Sequence, residues 1–321
     1  MLIQTSEAKA TAVLGAMRQI ALAHGPGGVS DADRVTIETA GSIVFALGEV
    51  DVDSIDPVSP EQLADVHEDD PKLAVRMLAV MSLVDGRNDP EKNALVNEYA
   101  SALEVDEDYL AILTEAAEGE VAQAAACIVR KNAESFPHLD SSLLDISAVA
   151  PFFPYRDGNE DPGKADRYRA LGELADGTFG RAFYDHFHEN GFAFPGEENG
   201  LAEGFTTPHD SSHVLSGYST NELGELCVST FIGGMHPDHP ISAEVLPVLF
   251  SWHLGIKLND IANSATGWFD PPRFWTGWDR GAGTTTDIVA AGWDFWGATE
   301  VPLEELRRRY NVAPADPEML A

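Results

Sequence analysis

The sequence predicts an all-α fold, and three observations lead to that prediction. Apolar residues recur at intervals of three and four in segment after segment, as one buried face of a helix requires. Ser or Asp followed by Pro and an acidic residue marks where helices begin, as in Ser59-Pro60-Glu61 and Asp89-Pro90-Glu91. No segment alternates apolar and polar residues over a useful strand length.

The N-terminal part of the chain reads as a helical bundle. Its first helix carries Val13, Leu14, Met17 and Ile20 on one face. Ser30-Asp31-Ala32-Asp33 and Asp70-Pro71 mark two later helix starts. The predicted helices cover residues 8–24, 31–47, 60–67, 71–84, 89–104, 106–116 and 118–134.

The length of 321 residues favours two domains, each able to bury a core of its own. A break between them is predicted where proline and glycine would interrupt any long helix. These residues are Pro137, Pro151, Pro154, Gly158 and Pro162. We therefore expect a helical bundle over 1–135, a linker over 136–165 and a second helical domain over 166–321.

A short acidic motif opens the fifth predicted helix. Val84-Asp85-Gly86 is followed by Asp89 and Glu91, and then by Tyr99-Ala100-Ser101-Ala102-Leu103. These residues resemble the tellurite-resistance TerB-like family, a helical module, over roughly residues 8–118. Oxygen atoms of Asp85, Asp89 and Glu91 could bind a cation. The alternative is that Asp89 caps a helix and Glu91 interacts with the helix dipole, which explains the residue types without a cation.

The residues most informative about function lie between 209 and 225. His209 and His213 are four apart, so on a helix they share a face, the spacing at which helical histidines bind a divalent metal. Asp210 lies beside them. Glu225 would lie about 18 Å from His213 on one continuous helix, too far to share a metal. A turn at Gly217 would fold a second helix back and bring Glu225 close.

Local signals support this helix–turn–helix arrangement. Thr207 is predicted as the N-cap of the first helix and Pro208 as its first residue. Ser219-Thr220-Asn221-Glu222 is predicted to form a capping box that opens the second helix and places Glu225 in its early turns. Gly224, beside Glu225, would let the helices approach closely.

The residue types indicate a transition-metal site. Two neutral imidazoles with one or two carboxylates suit zinc, Fe(II) or manganese, and spacing alone does not choose among them. Asp210 lies about 100° around the helix from His209. It could be a ligand, a group that orients an imidazole, or a general base. An open metal position could polarise a carboxylate, bind water as hydroxide, or activate oxygen.

The pattern His-Asp-x-x-His, eleven residues and then Glu resembles the signature of the ubiquinone-biosynthesis Coq-four family. The resemblance spans roughly residues 166–313. Further similar segments are Thr178 to Phe187, Gly217-Tyr218, Gly224-Glu225, Trp278-Asp279-Arg280-Gly281 and Val301 to Arg307. In the family, an arginine-rich segment precedes the motif, whereas this chain has Glu203-Gly204-Phe205-Thr206-Thr207 there. A substrate different from that of the family is therefore an alternative.

The resemblance implies an all-helical protein that binds a divalent metal, usually taken as zinc. By position, His209, Asp210, His213 and Glu225 would be the ligands. It also implies a lyase or decarboxylase-type reaction on a prenylated aromatic quinone precursor, whose C1 carboxylate is replaced by a hydroxyl. Two alternatives are a non-catalytic lipid-binding scaffold with a structural metal and a hydrolase that uses Asp210 as base.

The amino-acid composition indicates which classes of partner the protein can bind. The chain has 20 basic and 53 acidic residues, a net charge of −33, which argues against nucleic acid and against electrostatic attraction to anionic lipid. The expected ligand is a hydrophobic small molecule or prenylated lipid. No signal peptide or apolar run of membrane-spanning length is predicted, and Cys127 and Cys227 are expected as unbridged thiols. A cytoplasmic protein is expected, with peripheral membrane contact, a biosynthetic complex and a homodimer left open.

Aromatic residues are concentrated late in the chain, where five of the six tryptophans lie between 268 and 296. Such a concentration indicates first a core and second the wall of an apolar groove, which we expect to end at the metal ligands. Residues 245–262 predict a long core helix that holds His253 as a buried, hydrogen-bonded residue. His236-Pro237-Asp238-His239 predicts a surface turn. His186 and His188 face different sides of a helix and are not expected to bind one metal.

Overall fold

The structure is a computed structural model that describes residues 6–23, 28–66, 71–137, 139, 150–258, 264–314 and 317–319. Every regular element in these ranges is helical, and the all-α prediction is confirmed. Isolated bridges, not strands, join Thr178 to Pro302 and Leu254 to Thr266. None of the described helices combines the length and hydropathy needed to span a bilayer.

Fifteen α-helices are present in the described residues. They are α1 (Glu7–Leu22), α2 (Asp31–Thr39), α3 (Pro60–Val66), α4 (Pro71–Met81), α5 (Pro90–Ala102), α6 (Asp108–Ala117), α7 (Val121–Ser135), α8 (Pro162–Arg169), α9 (Phe179–Asn190), α10 (Glu203–Ser216), α11 (Glu222–Met235), α12 (Leu246–Val248), α13 (Pro271–Ala282), α14 (Phe295–Ala298) and α15 (Leu303–Arg309). The predicted start at Asp70 lies outside the described residues.

The chain divides into two compact units. The first comprises Met1–Ile128 with Val248–Asp279, and the second comprises Val129–Pro247 with Arg280–Ala321. We predicted that residues 1–135 and 166–321 each fold independently, and this division stays a prediction. Within the predicted linker, Asp161 caps α8 by accepting from the Lys164 amide at 3.0 Å.

The first unit is built around α1. Its start is capped by the Ser6 side chain, and the helix packs against α2, α3, α4 and α5 through a face that is fully buried. Ser30 and Asp33 form a reciprocal capping box at the start of α2. The Trp275 indole nitrogen donates to the Thr36 carbonyl at 3.2 Å, so this segment's tryptophan is part of the core. Core side chains include Val13, Leu14, Met17, Ile20, Ile37, Leu63, Leu78, Val96 and Leu113.

The second unit centres on α10, which packs against α9, α11 and α15. Its core is strongly aromatic, and offset and edge-on ring pairs hold it together. The Phe183 ring lies 4.9 Å from the rings of both Phe187 and Phe295. Phe136 and Phe152, from the predicted linker, both pack edge-on against Phe205 of α10. These contacts fix α10, the helix that carries the two motif histidines.

The predicted long core helix over 245–262 is confirmed as buried and helical only as far as His253, and most of it does not have α-geometry. Residues Pro240–Val245 and Leu249–His253 are π-helical, with only Leu246–Val248 between them in α-geometry. Pro247 has no amide hydrogen to give the Ala243 carbonyl, and the Asn132 side chain donates to that carbonyl instead at 2.7 Å. The helical run ends before Gly255, whose φ is 72°. Residues 259–262 of the prediction lie outside the described residues.

Candidate metal centre

Helix α10 begins earlier than predicted. Its first turn forms at Ala202, whose carbonyl accepts from the Thr206 amide at 2.9 Å. Thr207 is therefore not the N-cap; its hydroxyl donates to the Glu203 carbonyl at 2.6 Å. Pro208 lies inside the helix rather than at its first position. The consequence is that His209 lies in the middle of the helix and His213 in its last turn, and neither lies in a frayed first turn.

The predicted turn is confirmed, with one change in its cap. Gly217 ends α10 in the left-handed conformation at φ 83°, and its amide donates to the His213 carbonyl at 2.8 Å. The cap of α11 is Asn221, whose side chain accepts from the Gly224 amide at 2.8 Å, so the predicted box starting at Ser219 is wrong. The shift places Glu225 in the first turn of α11.

The turn brings three of the four motif side chains together. His209 Nε2 lies 3.5 Å from Glu225 Oε2, and His213 Nε2 lies 3.4 Å from Glu225 Oε1. One ligand atom from each of the three residues lies within 4.8 Å of the other two. Among the described residues, this is the one set of three His, Cys, Asp or Glu side chains that meets that criterion. We refer to His209, His213 and Glu225 as the His–His–Glu cluster.

The hydrogen bonding of His213 defines which nitrogen faces the cluster. Its Nδ1 lies 3.1 Å from the Tyr218 carbonyl, which can only accept, so Nδ1 carries a hydrogen, and Nε2 presents a lone pair whenever the ring is neutral. That Nε2 is fully buried and has no hydrogen-bond partner. A metal-binding imidazole is commonly oriented by a backbone carbonyl in this way. Tyr218 is itself held by Arg280, whose guanidinium lies 4.9 Å from the ring centre.

The spacing of the cluster fits a metal better than it fits hydrogen bonds. Separations of 3.4 and 3.5 Å are longer than N–H···O bonds, which lie at about 2.7–3.2 Å. Two ligand atoms at tetrahedral angles, each about 2.1 Å from a zinc ion, lie about 3.4 Å apart. The donor set and the buried, unpartnered His213 Nε2 therefore fit a divalent transition metal.

The electrostatics show strong mutual attraction within the cluster. Burial alone would lower the pKa of His209, but the Glu225 and Asp210 carboxylates raise that pKa to about 9. Burial alone would raise the pKa of Glu225, but the two imidazoles hold it well below its usual range. Glu225 is thus ionised at neutral pH and available as an anionic ligand.

Asp210 points to a different partner. Its Oδ1 lies 2.9 Å from Nε2 of His186, on the neighbouring helix α9. The His186 ring also stacks on His213, with ring centres 5.4 Å apart. His186 and His188 were not expected to share a metal, and nothing in their spacing indicated this contact with Asp210. Two residues of α9 and α10 that are far apart in sequence meet only because these helices pack.

A second buried acidic group lies near the histidines. Glu244, on the π-helical segment, accepts from the Ser135 hydroxyl at 3.0 Å, and burial raises its pKa. His236 is also buried, with Nδ1 2.7 Å from Asp287 Oδ2, so the predicted surface turn is wrong at this position. The turn prediction holds for the exposed Pro237 and Asp238. His236 is the C-cap residue of α11, and its backbone amide donates to the Ile232 carbonyl.

The predicted cation site of the first unit has a different arrangement. Asp89 caps α5 and accepts from the amides of Glu91 and Lys92. Asp85 Oδ2 lies 3.3 Å from the Lys92 ammonium, which also lies 3.3 Å from Asp33 Oδ1. Glu91 is exposed. We refer to Lys92, Asp33 and Asp85 as the lysine cluster. His253, in the same unit, is buried and bonded to the Val84 carbonyl at 3.1 Å, as predicted.

A cavity of about 600 Å³ lies beside α10. Residues of α10 that line it include Glu203, Gly204, Thr207 and Pro208, and its aromatic wall is Trp293, Phe295 and Trp296. At about 100° per residue, the α10 lining and the two cluster histidines point to roughly opposite sides of the helix. The late aromatic residues are therefore divided, since Trp275 belongs to the core of the other unit. The groove expected to end at the ligands stays a prediction.

Comparison with known proteins gives little further guidance. No family model and no curated protein matches the chain. A solved structure from Nostoc punctiforme, named for ubiquinone biosynthesis, aligns at 17% identity over 77% of this chain and 99% of its own. The TM-score of 0.31 is too low for that likeness to support a conclusion about this chain.

Proposed function

We propose that this protein is a metal-dependent enzyme whose divalent ion is held by the His–His–Glu cluster, with zinc first and Fe(II) or manganese as alternatives. The observation that carries the proposal is the convergence of two imidazoles and one carboxylate within 4.8 Å on two helices joined by a tight turn. A set of three protein ligands is typical of catalytic sites, which keep a position open, whereas structural zinc sites are usually closed by four.

The protein's own residues supply orientation, charge and exclusion of water. The Tyr218 carbonyl fixes the tautomer and direction of His213, and the ionised Glu225 offsets the charge of the ion. His213 is only 1% exposed, so water reaches the cluster from the side of His209 and Glu225. The bound ion would supply Lewis acidity toward a substrate oxygen or carboxylate. Asp210, the motif carboxylate that is bonded to His186 and lies outside the cluster, is the candidate for accepting a proton.

For the substrate we propose a prenylated aromatic quinone precursor that undergoes C1 decarboxylation or hydroxylation. The support is the motif of His209, Asp210, His213 and Glu225, which resembles the Coq-four family, together with the aromatic core around α10. The net charge of −33 gives no attraction to anionic bilayers, so binding should depend on burial of the tail. Each methylene removed from water contributes about 0.8 kcal/mol.

The first experiment is elemental analysis of untagged protein purified without chelators, with mass spectrometry of any lipid that co-purifies. One equivalent of zinc, iron or manganese is expected. Prenylated phenols and benzoates of increasing chain length are then titrated against the metal-loaded protein. Affinity that rises with chain length supports the substrate class. Tight binding of small water-soluble acids alone would contradict it, and metal-free native protein would contradict the enzyme proposal itself.

A further inference from the structure

Three of the four motif residues face one another, and the fourth is held elsewhere. The Asp210 carboxylate accepts a hydrogen bond from His186 at 2.9 Å, and both side chains are largely buried, with Asp210 9% and His186 12% exposed. Asp210 does not belong to the set whose ligand atoms lie within 4.8 Å of one another. A buried charge-assisted hydrogen bond of this length is among the stronger ones available to a carboxylate.

The partner of Asp210 is itself fixed in place. His186 lies on α9, stacks at 26° on the His213 ring and lies edge-on to Phe187 and Phe192. Its side chain therefore cannot move away without losing these ring contacts. For Asp210 to become a metal ligand, it would have to give up the His186 hydrogen bond. That loss would leave the buried His186 Nε2 without a partner, which is unfavourable.

We propose that His186 is a positioning residue that keeps Asp210 out of the metal's coordination sphere. The ion would then have three protein ligands, and the Asp210 carboxylate would stay bonded to His186 instead of binding the metal. The inference rests on the proposed function, because it presupposes a bound metal. It assigns His186, which the motif does not contain, a role in setting the ligand number.

The test uses the full-length protein with zinc or Co²⁺ as probe and four variants. His186→Phe keeps a ring against His213 but removes the donor, and His186→Gln restores a donor in an amide. Asp210→Asn and Glu225→Gln compare the two carboxylates directly. Affinity is measured by competition with a chromogenic chelator. Ligand number comes from the visible spectrum of the Co²⁺ protein and from X-ray absorption of the zinc protein.

Wild-type protein should show two imidazoles and one carboxylate, with the remaining positions exchangeable by azide. His186→Phe should release Asp210 to the metal, which then gains a carboxylate ligand, so that zinc binds more tightly and the azide response falls. His186→Gln should resemble wild type. Asp210→Asn should weaken zinc binding by less than about tenfold, and Glu225→Gln by about 100-fold or more. Circular dichroism on each variant checks that the fold is retained.

The outcomes separate this inference from the proposed function. If wild-type protein binds no metal, both fall. If wild-type protein binds metal through Asp210 as a fourth ligand, so that Asp210→Asn loses zinc as severely as Glu225→Gln, the function stands and the role of His186 is overturned. Unchanged zinc affinity and an unchanged Co²⁺ spectrum in His186→Phe would also overturn it, even if that variant were less stable.

Discussion

Each unit of this protein buries a small group of ionisable side chains, and the two groups are composed differently. In the lysine cluster, one ammonium lies 3.3 Å from each of two carboxylates. In the His–His–Glu cluster, the three side chains bring lone pairs and a negative charge to one point, and His213 Nε2 has no hydrogen-bond partner. Both regions were predicted from sequence as candidate cation sites.

The difference lies in where the cation comes from. Burying a carboxylate requires a compensating positive group, since the cost of an unpaired buried charge is several kcal/mol. Lys92 supplies that group from within the chain, so the acidic residues around it are explained by folding alone. The His–His–Glu cluster has no Lys or Arg within ion-pair distance among the described residues. In the His–His–Glu cluster, the positive charge opposite Glu225 is a proton on His209, which a divalent metal can displace. We therefore assign an external metal to this cluster and not to the lysine cluster.

The largest expected effect is loss of metal. His209→Ala and His213→Ala should each reduce the bound metal from about one equivalent to near zero, because a two-ligand site binds a divalent ion weakly. Asp85→Asn and Glu91→Gln, in the lysine cluster region, should leave the metal content unchanged. Elemental analysis of the purified variants measures both.

His253→Gln provides a matched control, because it changes a buried histidine of the other unit. Metal loss in His253→Gln or Asp85→Asn would remove the distinction drawn between the two clusters. Full retention of metal in both His209→Ala and His213→Ala would also contradict the assignment of the metal to the His–His–Glu cluster.

The next effect concerns stability. Lys92→Met leaves Asp33 and Asp85 buried without their cation, and we expect a loss of about 3–5 kcal/mol in the free energy of unfolding. Lys92→Met combined with Asp85→Asn should recover part of that loss, because one of the two charges is gone. Urea denaturation followed by circular dichroism gives both values.

Arg34→Met is the control for the lysine cluster, since its partner Asp53 is largely exposed and the pair should contribute little. The metal content of Lys92→Met should equal that of wild type. An equal loss of stability in Arg34→Met and Lys92→Met would show that burial does not set the strength of these pairs.

A smaller effect is expected from the turn that closes the His–His–Glu cluster. A Cβ at Gly224 would lie 1.9 Å from the Ser219 carbonyl oxygen, so Gly224→Ala must displace the start of α11 and with it Glu225. Zinc affinity should fall by about tenfold, as misplacement of a ligand or its support typically produces. Gly163→Ala on α8 is the matched control, because its Cβ would meet only ordinary contacts. Calorimetric titration with zinc that shows equal affinity for both variants would contradict this account of the turn.

Sequence reasoning succeeded where the determinants are local. The all-α class followed from apolar periodicity and caps, and the turn at Gly217 followed from the need for a left-handed residue after a helix. Local signals also misled, because Thr207-Pro208 looks like a helix start. Packing of the preceding aromatic segment on Phe205 instead supports a helix that begins at Glu203.

What the sequence could not provide was the choice of partner for each buried polar group. The bonds of Asp210 to His186 and of Asn132 to the Ala243 carbonyl join residues separated by 24 and 111 positions. They depend on how helices pack, which periodicity does not determine. The lysine cluster illustrates the same limit, because Asp33 and Lys92 are 59 positions apart. The acidic motif at Asp85 was visible, but the ammonium that neutralises it was not.

The smallest expected effect concerns His236, a buried imidazole that pairs with the Asp287 carboxylate and that, among the residues the structure describes, belongs to no set of three metal-binding side chains. Burial alone would lower the pKa of His236, but Asp287 outweighs burial, with smaller contributions from Glu244 and Asp238, and the pKa is raised. A folded-state pKa above the unfolded value of about 6.5 stabilises the fold fully below that pH, and the contribution is lost as pH rises through the folded-state pKa. The melting-temperature difference between wild type and His236→Gln, measured with a chelator present, should therefore be larger at pH 6 than at pH 9. Asp287→Asn should follow the same direction. A difference that grows toward pH 9 would show that His236 is buried in its neutral form.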